Sequence, residues 1–194
     1  MRDEKTLFAP PELRAVHPLG KAPVLTDGDA TIAESGAIIE YVLGRYGNGR
    51  LIPPVGAPER IRYTFWLHYA EGSAMPPLIM KLVFDRVKNA PAPFFVRPVA
   101  RAIASRVQRD FVGPQIERHL SFMESELAKS TWFAGGEFTA ADIQMMHPVA
   151  SARARAGLSV TTHPRMSAWL ERVQARPAYA RAIQKGGPFA ILKG

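Results

Sequence analysis

The sequence predicts an α/β unit at the N-terminus and an all-α helical-bundle domain after it. Two short extended segments and an amphipathic helix occupy residues 21–46, and this order is typical of the end of an α/β ligand-binding unit. From residue 58 onward, apolar residues recur at helical spacing almost to the C-terminus. A stretch rich in glycine and proline separates the two parts, so we expect domains at residues 1–49 and 58–194.

The N-terminal unit contains a predicted β-hairpin. Residues 21–26 form the first expected strand, with Pro23 at its start because proline cannot donate a hydrogen bond to a strand ladder. The Asp27-Gly28 pair predicts a two-residue type I′ turn, which requires positive φ at both central positions. Residues 30–33 are expected to return antiparallel to the first strand.

An amphipathic helix is predicted to begin at Ser35 and to end before Gly47. Glycine is the residue most often found just beyond a helix C-terminus. The apolar side chains are spaced as they are on one face of a helix; they are Ile38, Ile39, Val42, Leu43 and Tyr46.

The second domain is predicted to consist of helices alone. A long helix is expected over residues 58–88, bent or broken at Met75-Pro76-Pro77 because proline disrupts a helix interior. Apolar spacing predicts the helices that follow the next proline-rich loop; they lie near residues 98–111, 115–129, 139–155 and 164–176, with a short terminal helix from Pro177.

One helix start in this domain carries an unusually clear signal. Thr139 and Asp142 stand at the two positions of a capping box, with Asp as the shorter variant of the usual Glu or Gln. Phe138 and Ile143 stand at the positions of a hydrophobic staple. We interpret this group as a folding device and assign no chemistry to it.

Composition excludes several classes of protein. The chain has 194 residues, of which 47% are hydrophobic, and this suits a globular fold with a sizeable core. No apolar run approaches the roughly 20 residues of a membrane span. The first residues lack the apolar segment of a secretory signal, which favours the cytoplasm. The absence of cysteine excludes a disulfide scaffold, and the five histidines lack metal-ligand spacing, so we expect no metal.

The net charge of +8 is concentrated in the middle of the chain. Between Lys81 and Arg118 there are eight basic residues and three acidic ones. Such a segment can contact nucleic acid, a membrane surface or acidic ligands. Aromatic residues are sparse in it, and charge runs are usually solvated surface. We therefore expect neither nucleic acid nor a membrane as a partner.

Four segments together resemble the cytosolic glutathione transferases, in particular a bacterial subgroup. They occur in the family's order and spacing and extend over nearly the whole chain; they are the His17–Leu25 proline strand, the Glu34-Ser35 pair, Trp66–Ser73 and the Phe138–Asp142 box. The resemblance implies glutathione transferase architecture, with a thioredoxin-like first domain and a helical second domain.

The front of the chain departs from this family. The family's first domain opens with a strand, a helix and a second strand before a cis-proline, and a βαβ unit takes about 30 residues or more. Here 22 residues precede Pro23. We therefore expect a truncated thioredoxin-like unit, with the family's catalytic Tyr, Ser or Cys lying N-terminal to Met1.

The resemblance also assigns residues to glutathione. It implies that Ser35 and its amide hold the γ-glutamyl carboxylate, that Glu34 contacts the same end, and that a cis Ala22–Pro23 bond turns the Ala22 backbone toward the cysteinyl unit. Lys21 is the candidate partner of the glycyl carboxylate. The residues alone also allow an ordinary helix cap at Ser35, a first-turn acid at Glu34 and a surface lysine at Lys21.

A pocket for the second substrate is expected along the first long helix. Its candidate residues are Trp66, Tyr69, Ser73 and Met80. Aromatic residues at helical spacing are also typical of a core, and that interpretation stays open for them.

These expectations combine into one function. The chain is predicted to conjugate the thiol of glutathione to small hydrophobic electrophiles, as a cytoplasmic homodimer acting in detoxification, with glutathione as co-substrate. The alternative is a glutathione-binding member that is catalytically impaired or non-catalytic because the catalytic strand is missing.

Overall fold

The computed structural model of the protein describes residues 11–187. The chain divides into two compact units, Met1–Ala57 and Pro58–Gly194. The segment Ala9–Leu13 is typical of a loop followed by one helical turn, and its first two residues, Ala9 and Pro10, lie outside the described residues.

The described part of the first unit contains a short helix, a two-stranded antiparallel sheet and a longer helix. Their bounds are α1 Glu12–Val16, β1 Val24–Asp27, β2 Ala30–Ala33 and α2 Ser35–Tyr46. The first strand begins later than expected, at Val24, directly after Pro23, which has no N–H to donate to a strand ladder. β2 and the start of α2 lie where the sequence predicts them.

The turn of the hairpin lies one residue beyond the predicted position. Asp27 pairs with Ala30, so the two central residues are Gly28 and Asp29. Gly28 has a φ of +58°, whereas Asp29 is not among the residues with positive φ. The type I′ prediction is therefore wrong. Glycine alone at the first central position is the pattern of a type II′ turn, which also matches the twist of the strands.

Asp27, at the end of β1, ties the hairpin to α2. Its Oδ2 accepts a hydrogen bond from the Tyr41 hydroxyl at 2.9 Å and another from the Tyr46 hydroxyl. The Arg45 Nε lies 3.5 Å from the same oxygen. Tyr46 is half exposed, so this member of the predicted apolar stripe makes a polar contact with the hairpin in place of core packing.

All regular secondary structure in the described part of the second unit is helical. Its α-helices are α3 Glu59–Tyr69, α4 Met75–Asn89, α5 Arg97–Val107, α6 Gly113–Lys129, α7 Ala140–Arg155, α8 Pro164–Gln174 and α9 Pro177–Gly186. Two π-helical segments join neighbouring α-helices, Ala70–Ala74 between α3 and α4 and Gln108–Val112 between α5 and α6.

Both π-helical segments end next to proline. Pro76 and Pro77 occupy the first turn of α4, and Pro114 occupies the first turn of α6. A proline ring clashes with the carbonyl four residues earlier and has no N–H to donate to it, and a wider turn upstream relieves both problems. The predicted break of the long helix therefore lies in residues 70–74, just before the prolines. The two helices predicted at 98–111 and 115–129 form one continuous helical run.

The core of the second unit contains a chain of aromatic side chains. The Trp66 ring lies 4.5 Å from that of Phe133, which lies 4.9 Å from Trp169. Phe122 stacks on Trp66 at 5.4 Å. Each of the first three side chains is fully or almost fully buried. They pack α3, α8 and the loop before α7 into one body.

The capping box at the start of α7 is confirmed. Thr139 and Asp142 make both reciprocal hydrogen bonds, including Thr139 N–H to Asp142 Oδ2 at 2.9 Å. Asp142 also accepts a hydrogen bond from the Trp169 indole. Phe138 packs against the Trp132 ring at 5.0 Å, while its predicted staple with Ile143 stays a prediction.

The start of α8 is capped by a side chain from another helix. Its N-cap residue, His163, makes no side-chain capping bond. The carboxylate of Glu124, on α6, instead accepts from the Arg165 amide at 2.8 Å and the Met166 amide at 2.9 Å. Pro164 has no N–H, so these two amides are the next N–H groups of the helix without an intrahelical acceptor, and Glu124 satisfies both.

Candidate functional site

The hairpin brings together the two segments that the sequence assigns to glutathione. Val24 pairs with Ala33 at the open end of the antiparallel sheet. Pro23 directly precedes Val24, and Glu34 directly follows Ala33. The two segments therefore leave the same end of the hairpin, although 11 positions separate Pro23 from Glu34 in the chain. The strand register is what creates a single candidate site.

A tight turn leads into this end of the hairpin. The Gly20 amide donates to the His17 carbonyl at 2.9 Å, and the Leu19 amide lies 3.3 Å from His17 Nδ1. Gly20 has a φ of +55°, and a Cβ on it would lie 2.7 Å from Arg14 Cγ. Any other residue at Gly20 would be strained and crowded. His17 thus acts as a turn residue.

The peptide bond between Ala22 and Pro23 is cis, as the resemblance implies. Lys21, Ala22 and Pro23 are all exposed.

The start of α2 combines an unusual backbone with a helix N-terminus. Glu34 has φ 74° and ψ 123°, a conformation that non-glycine residues rarely adopt. Such a conformation costs about 1–3 kcal/mol and is concentrated at functional sites. Ser35 is the first residue of the helix, and the Glu34 carbonyl accepts the Ile38 amide at 2.9 Å. Glu34 is exposed and Ser35 half-buried. The N–H groups of this turn form a potential anion site.

The four residues predicted for the second substrate differ in burial. Trp66 is 1% exposed and Tyr69 is 8% exposed, and both belong to the aromatic core of the helical unit. Ser73 lies in the first π-helical segment and Met80 on α4, and both are half-buried. The burial of Trp66 and Tyr69 matches the core interpretation that the sequence left open. A substrate-binding role for all four stays a prediction.

The sequence did not reveal the partner of Tyr69. Its hydroxyl lies 2.5 Å from Nδ1 of His119, on α6. Burial raises the pKa of Tyr69 and lowers that of His119, where Arg118 adds to the effect. The ordinary pairing of these groups is a neutral hydroxyl with a neutral imidazole. The 50 positions between the two residues left no local signal for it.

Neither a metal site nor a membrane span is found in the described part of the chain. Within residues 11–187, no three His, Asp or Glu side chains are grouped so that they could hold a metal ion. None of the helices in that range is both long and apolar enough to cross a bilayer.

Comparison with known proteins identifies the family. Residues 78–177 match the family description "Glutathione S-transferase, C-terminal domain", and residues 4–50 match "Glutathione S-transferase, N-terminal domain". Glutathione S-transferase 1 of Saccharomyces cerevisiae is 30% identical over 91% of this chain and 79% of its own length. The chain belongs to the glutathione S-transferase family.

Solved structures of this family share the fold. A glutathione S-transferase from Actinobacillus pleuropneumoniae is 29% identical, with a TM-score of 0.76 over 100% of this chain and 82% of that chain. A sphingomonad glutathione S-transferase complexed with glutathione is 25% identical, with a TM-score of 0.67 over 91% of this chain and 79% of that chain. The alternative of a catalytically impaired family member gains no support from these comparisons.

Proposed function

We propose that this glutathione S-transferase binds glutathione at the open end of the hairpin and conjugates its thiol to small hydrophobic electrophiles. The observation that carries the proposal is the Val24–Ala33 pairing, which places the Ala22-Pro23 and Glu34-Ser35 segments side by side. The domain limits at residues 1–49 and 58–194 belong to the same proposal.

The γ-glutamyl end of glutathione is assigned to the start of α2. The Ser35 hydroxyl and the first amides of the helix donate to its carboxylate, and the helix dipole favours the negative charge there. Glu34 supplies a carboxylate for the ammonium group of the same end. The unusual φ of Glu34 supports this assignment, because it directs the chain into the helix at the point where the ligand would lie.

The other end of glutathione is assigned to the segment before β1. The backbone of Ala22 pairs with the cysteinyl unit as an added strand would. The exposed ammonium of Lys21 binds the glycyl carboxylate. The two charged ends of the tripeptide thus fix its direction, and the cysteinyl thiol lies between them.

Catalysis requires the glutathione thiol to lose its proton to solvent and become a thiolate. The thiolate then forms a C–S bond to an electrophilic carbon, and either a leaving group such as chloride departs with the electron pair of its broken bond or the π bond of an activated alkene is broken. A donor near the sulfur lowers the thiol pKa. We assign this donor to no residue of the described range. Tyr69 does not fit the role, since its hydroxyl is held by His119 and burial raises its pKa.

The wider setting is also a proposal. The chain would work as a cytoplasmic homodimer in detoxification, with an acceptor pocket that includes Trp66, Tyr69, Ser73 and Met80. Light scattering of the purified protein would measure the assembly: a mass of two chains supports it, and a single-chain mass contradicts it.

The test compares Ser35→Ala with Ser121→Ala, a matched substitution of an exposed serine on α6. Calorimetry measures glutathione affinity, and absorbance follows conjugation to chlorodinitrobenzene. We expect Ser35→Ala to weaken glutathione binding about tenfold, as loss of a hydrogen bond to a charged group does. Ser121→Ala should bind like the wild type. Wild-type protein without turnover, or equal affinity in both variants, would contradict the proposal.

A further inference from the structure

Two exposed phenylalanines lie at the apex of the α4–α5 connection. Residues 90–96 join Asn89 at the end of α4 to Arg97 at the start of α5. This segment is the tip of a helical hairpin, distinct from the β-hairpin of the first unit, and is called the hairpin tip. Phe94 is 83% exposed and Phe95 is 67% exposed, and their rings meet edge to face at 5.5 Å. Large aromatic side chains this exposed carry an unfavourable hydration free energy that a partner would remove.

The hairpin tip is held in one conformation. The Pro93 carbonyl accepts from the Val96 amide at 2.9 Å and from the Arg97 amide at 3.2 Å. The Arg97 Nε also donates to the Ala92 carbonyl at 2.6 Å. Pro91 and Pro93 further restrict the backbone. The backbone that carries the two rings is therefore restricted, so docking costs little backbone entropy.

Cations surround the two rings. The cationic collar consists of four exposed side chains within about two turns of the tip: Arg86, Lys88, Arg97 and Arg101. None of the four forms a salt bridge with any described residue. From Arg86 to Arg109 the sequence contains no Asp or Glu. Lys88 also interacts electrostatically with Asp85, so part of the positive charge of the collar is compensated at its α4 end.

We propose that the hairpin tip docks on an anionic phospholipid surface. Phe94 and Phe95 enter the boundary between headgroups and acyl chains, and the cationic collar contacts the lipid phosphates. Exposed aromatics combined with Lys and Arg are the chemistry of interfacial membrane binding. The association is peripheral and independent of the function proposed above. It gives a role to part of the basic segment that the sequence alone treats as solvated surface.

Charge complementarity favours this partner over a second copy of the chain. A two-fold symmetric contact through the hairpin tip would bring one collar against the other. With no carboxylate between Arg86 and Arg109, the like charges would repel. The bases of single-stranded nucleic acid can stack on exposed aromatic rings. Binding of single-stranded DNA is therefore measured beside vesicle binding.

The experiment measures cosedimentation of the full chain with vesicles of phosphatidylcholine alone or mixed with phosphatidylserine. We expect binding to the anionic vesicles, little binding to the neutral ones, and release at high salt because the collar contribution is screened. A wild-type chain that sediments with neither vesicle, or equally with both, overturns the proposal.

Two variants localise the effect. Phe94→Ser/Phe95→Ser should weaken partitioning about tenfold or more through lost apolar burial. Lys88→Gln/Arg101→Gln should weaken it at least about fivefold. Their matched controls are Val160→Ser, another exposed apolar residue, and Arg153→Gln/Arg155→Gln, which removes the same net charge on α7. Both controls should partition like the wild type.

The remaining outcomes overturn the proposal. The first is that the tip variants partition to vesicles like the wild type, and the second is that the controls lose as much partitioning as the tip variants. The third is that Phe94→Ser/Phe95→Ser changes the molar mass of the protein in the absence of lipid, which would make the tip a contact between subunits. Binding of single-stranded DNA without vesicle binding would assign the tip to nucleic acid. Circular dichroism checks folding, and the charge variant decides the matter if the phenylalanine variant unfolds.

Discussion

The indole Nε1 of Trp169 donates a hydrogen bond to Oδ1 of Asp142 at 2.9 Å. The same carboxylate accepts from the Phe133 amide at 3.0 Å, and from the amide and hydroxyl of Thr139. Asp142 is fully buried, and its partners come from α8, the cap of α7 and the loop before it. One acidic side chain therefore joins three parts of the helical unit. Burial raises the pKa of this carboxyl despite the donors around it.

Asp142→Asn should destabilise the protein by about 2–3 kcal/mol. The amide group of Asn replaces an oxygen that accepts from N–H donors, and a buried donor left without an acceptor costs about 1–3 kcal/mol. Urea unfolding followed by circular dichroism measures the change. Glu171→Gln, an exposed substitution on α8, is the control and should stay within about 0.5 kcal/mol. A similarly small change in Asp142→Asn would refute the proposed junction.

The raised pKa of Asp142 adds a pH dependence. The folded protein binds this proton more readily than the unfolded chain does. Its contribution to the free energy of unfolding therefore rises as pH falls from the raised folded pKa to the ordinary Asp value. Asp142→Asn should lack this rise in stability at acid pH. The measurement is the free energy of unfolding of the wild type and of the variant at several pH values across that range, and the difference between the two should grow as pH falls. If the difference in unfolding free energy is the same at every pH, the pKa of the Asp142 carboxyl is not raised.

Glu124→Gln tests the cap of α8. The variant keeps one oxygen for the Arg165 and Met166 amides but turns an NH2 group toward one of them. We expect a loss of about 1 kcal/mol in unfolding free energy, typical of a lost helix cap. Glu117→Gln removes an acid from the exposed surface of the same helix and serves as its control. Equal stability of the two variants would assign the cap no energetic role.

Lys21→Gln tests the assignment of the glycyl carboxylate. We expect glutathione affinity to fall about tenfold, in line with loss of a charge-assisted hydrogen bond. γ-Glutamylcysteine, which lacks glycine, should bind the wild type and Lys21→Gln equally. Calorimetry with both ligands measures this, and Lys185→Gln controls for net charge. If Lys21→Gln weakens binding of the dipeptide as much as that of glutathione, the assignment is wrong.

Tyr46→Phe should raise the pKa of Asp27 toward its ordinary value. The Tyr46 hydroxyl is the largest cause of the lowered pKa, followed by that of Tyr41, so Tyr41→Phe should have a smaller effect. These hydrogen bonds stabilise the hairpin above the ordinary Asp pKa, and the effect is lost as pH falls through the lowered value. Carboxyl titration by NMR measures the shift. Tyr179→Phe is the control, and an Asp27 pKa equal in all variants would contradict the prediction.

Local signals in the sequence were sufficient for most elements. The strand Ala30–Ala33, the helix from Ser35 and the Thr139–Asp142 box each depend on residues within a few positions of one another. The hairpin turn was misplaced by one residue because Asp-Gly and Gly-Asp both form two-residue turns. Only the pairing register distinguishes them.

Contacts between distant residues had no such signal. Trp169 follows Asp142 by 27 positions, and Tyr46 follows Asp27 by 19. The apolar spacing of Tyr46 favoured the core, while the hydroxyl made the hairpin contact the better one. In the candidate site, the family resemblance supplied the residues and the strand register supplied their proximity.

The π-helical segment at residues 70–74 accommodates an extra residue in the run from α3 to α4. Its hydrogen bonds close over five residues where those of an α-helix close over four, so one wider turn takes up about one residue more than an α-helical turn does. Deleting one residue there should therefore restore ordinary α-helix and leave α4 in nearly the same rotational phase. Met75 and Leu78, both buried, would still face the core. In this part of the chain, a single-residue deletion shortens the sequence without turning the helix that follows.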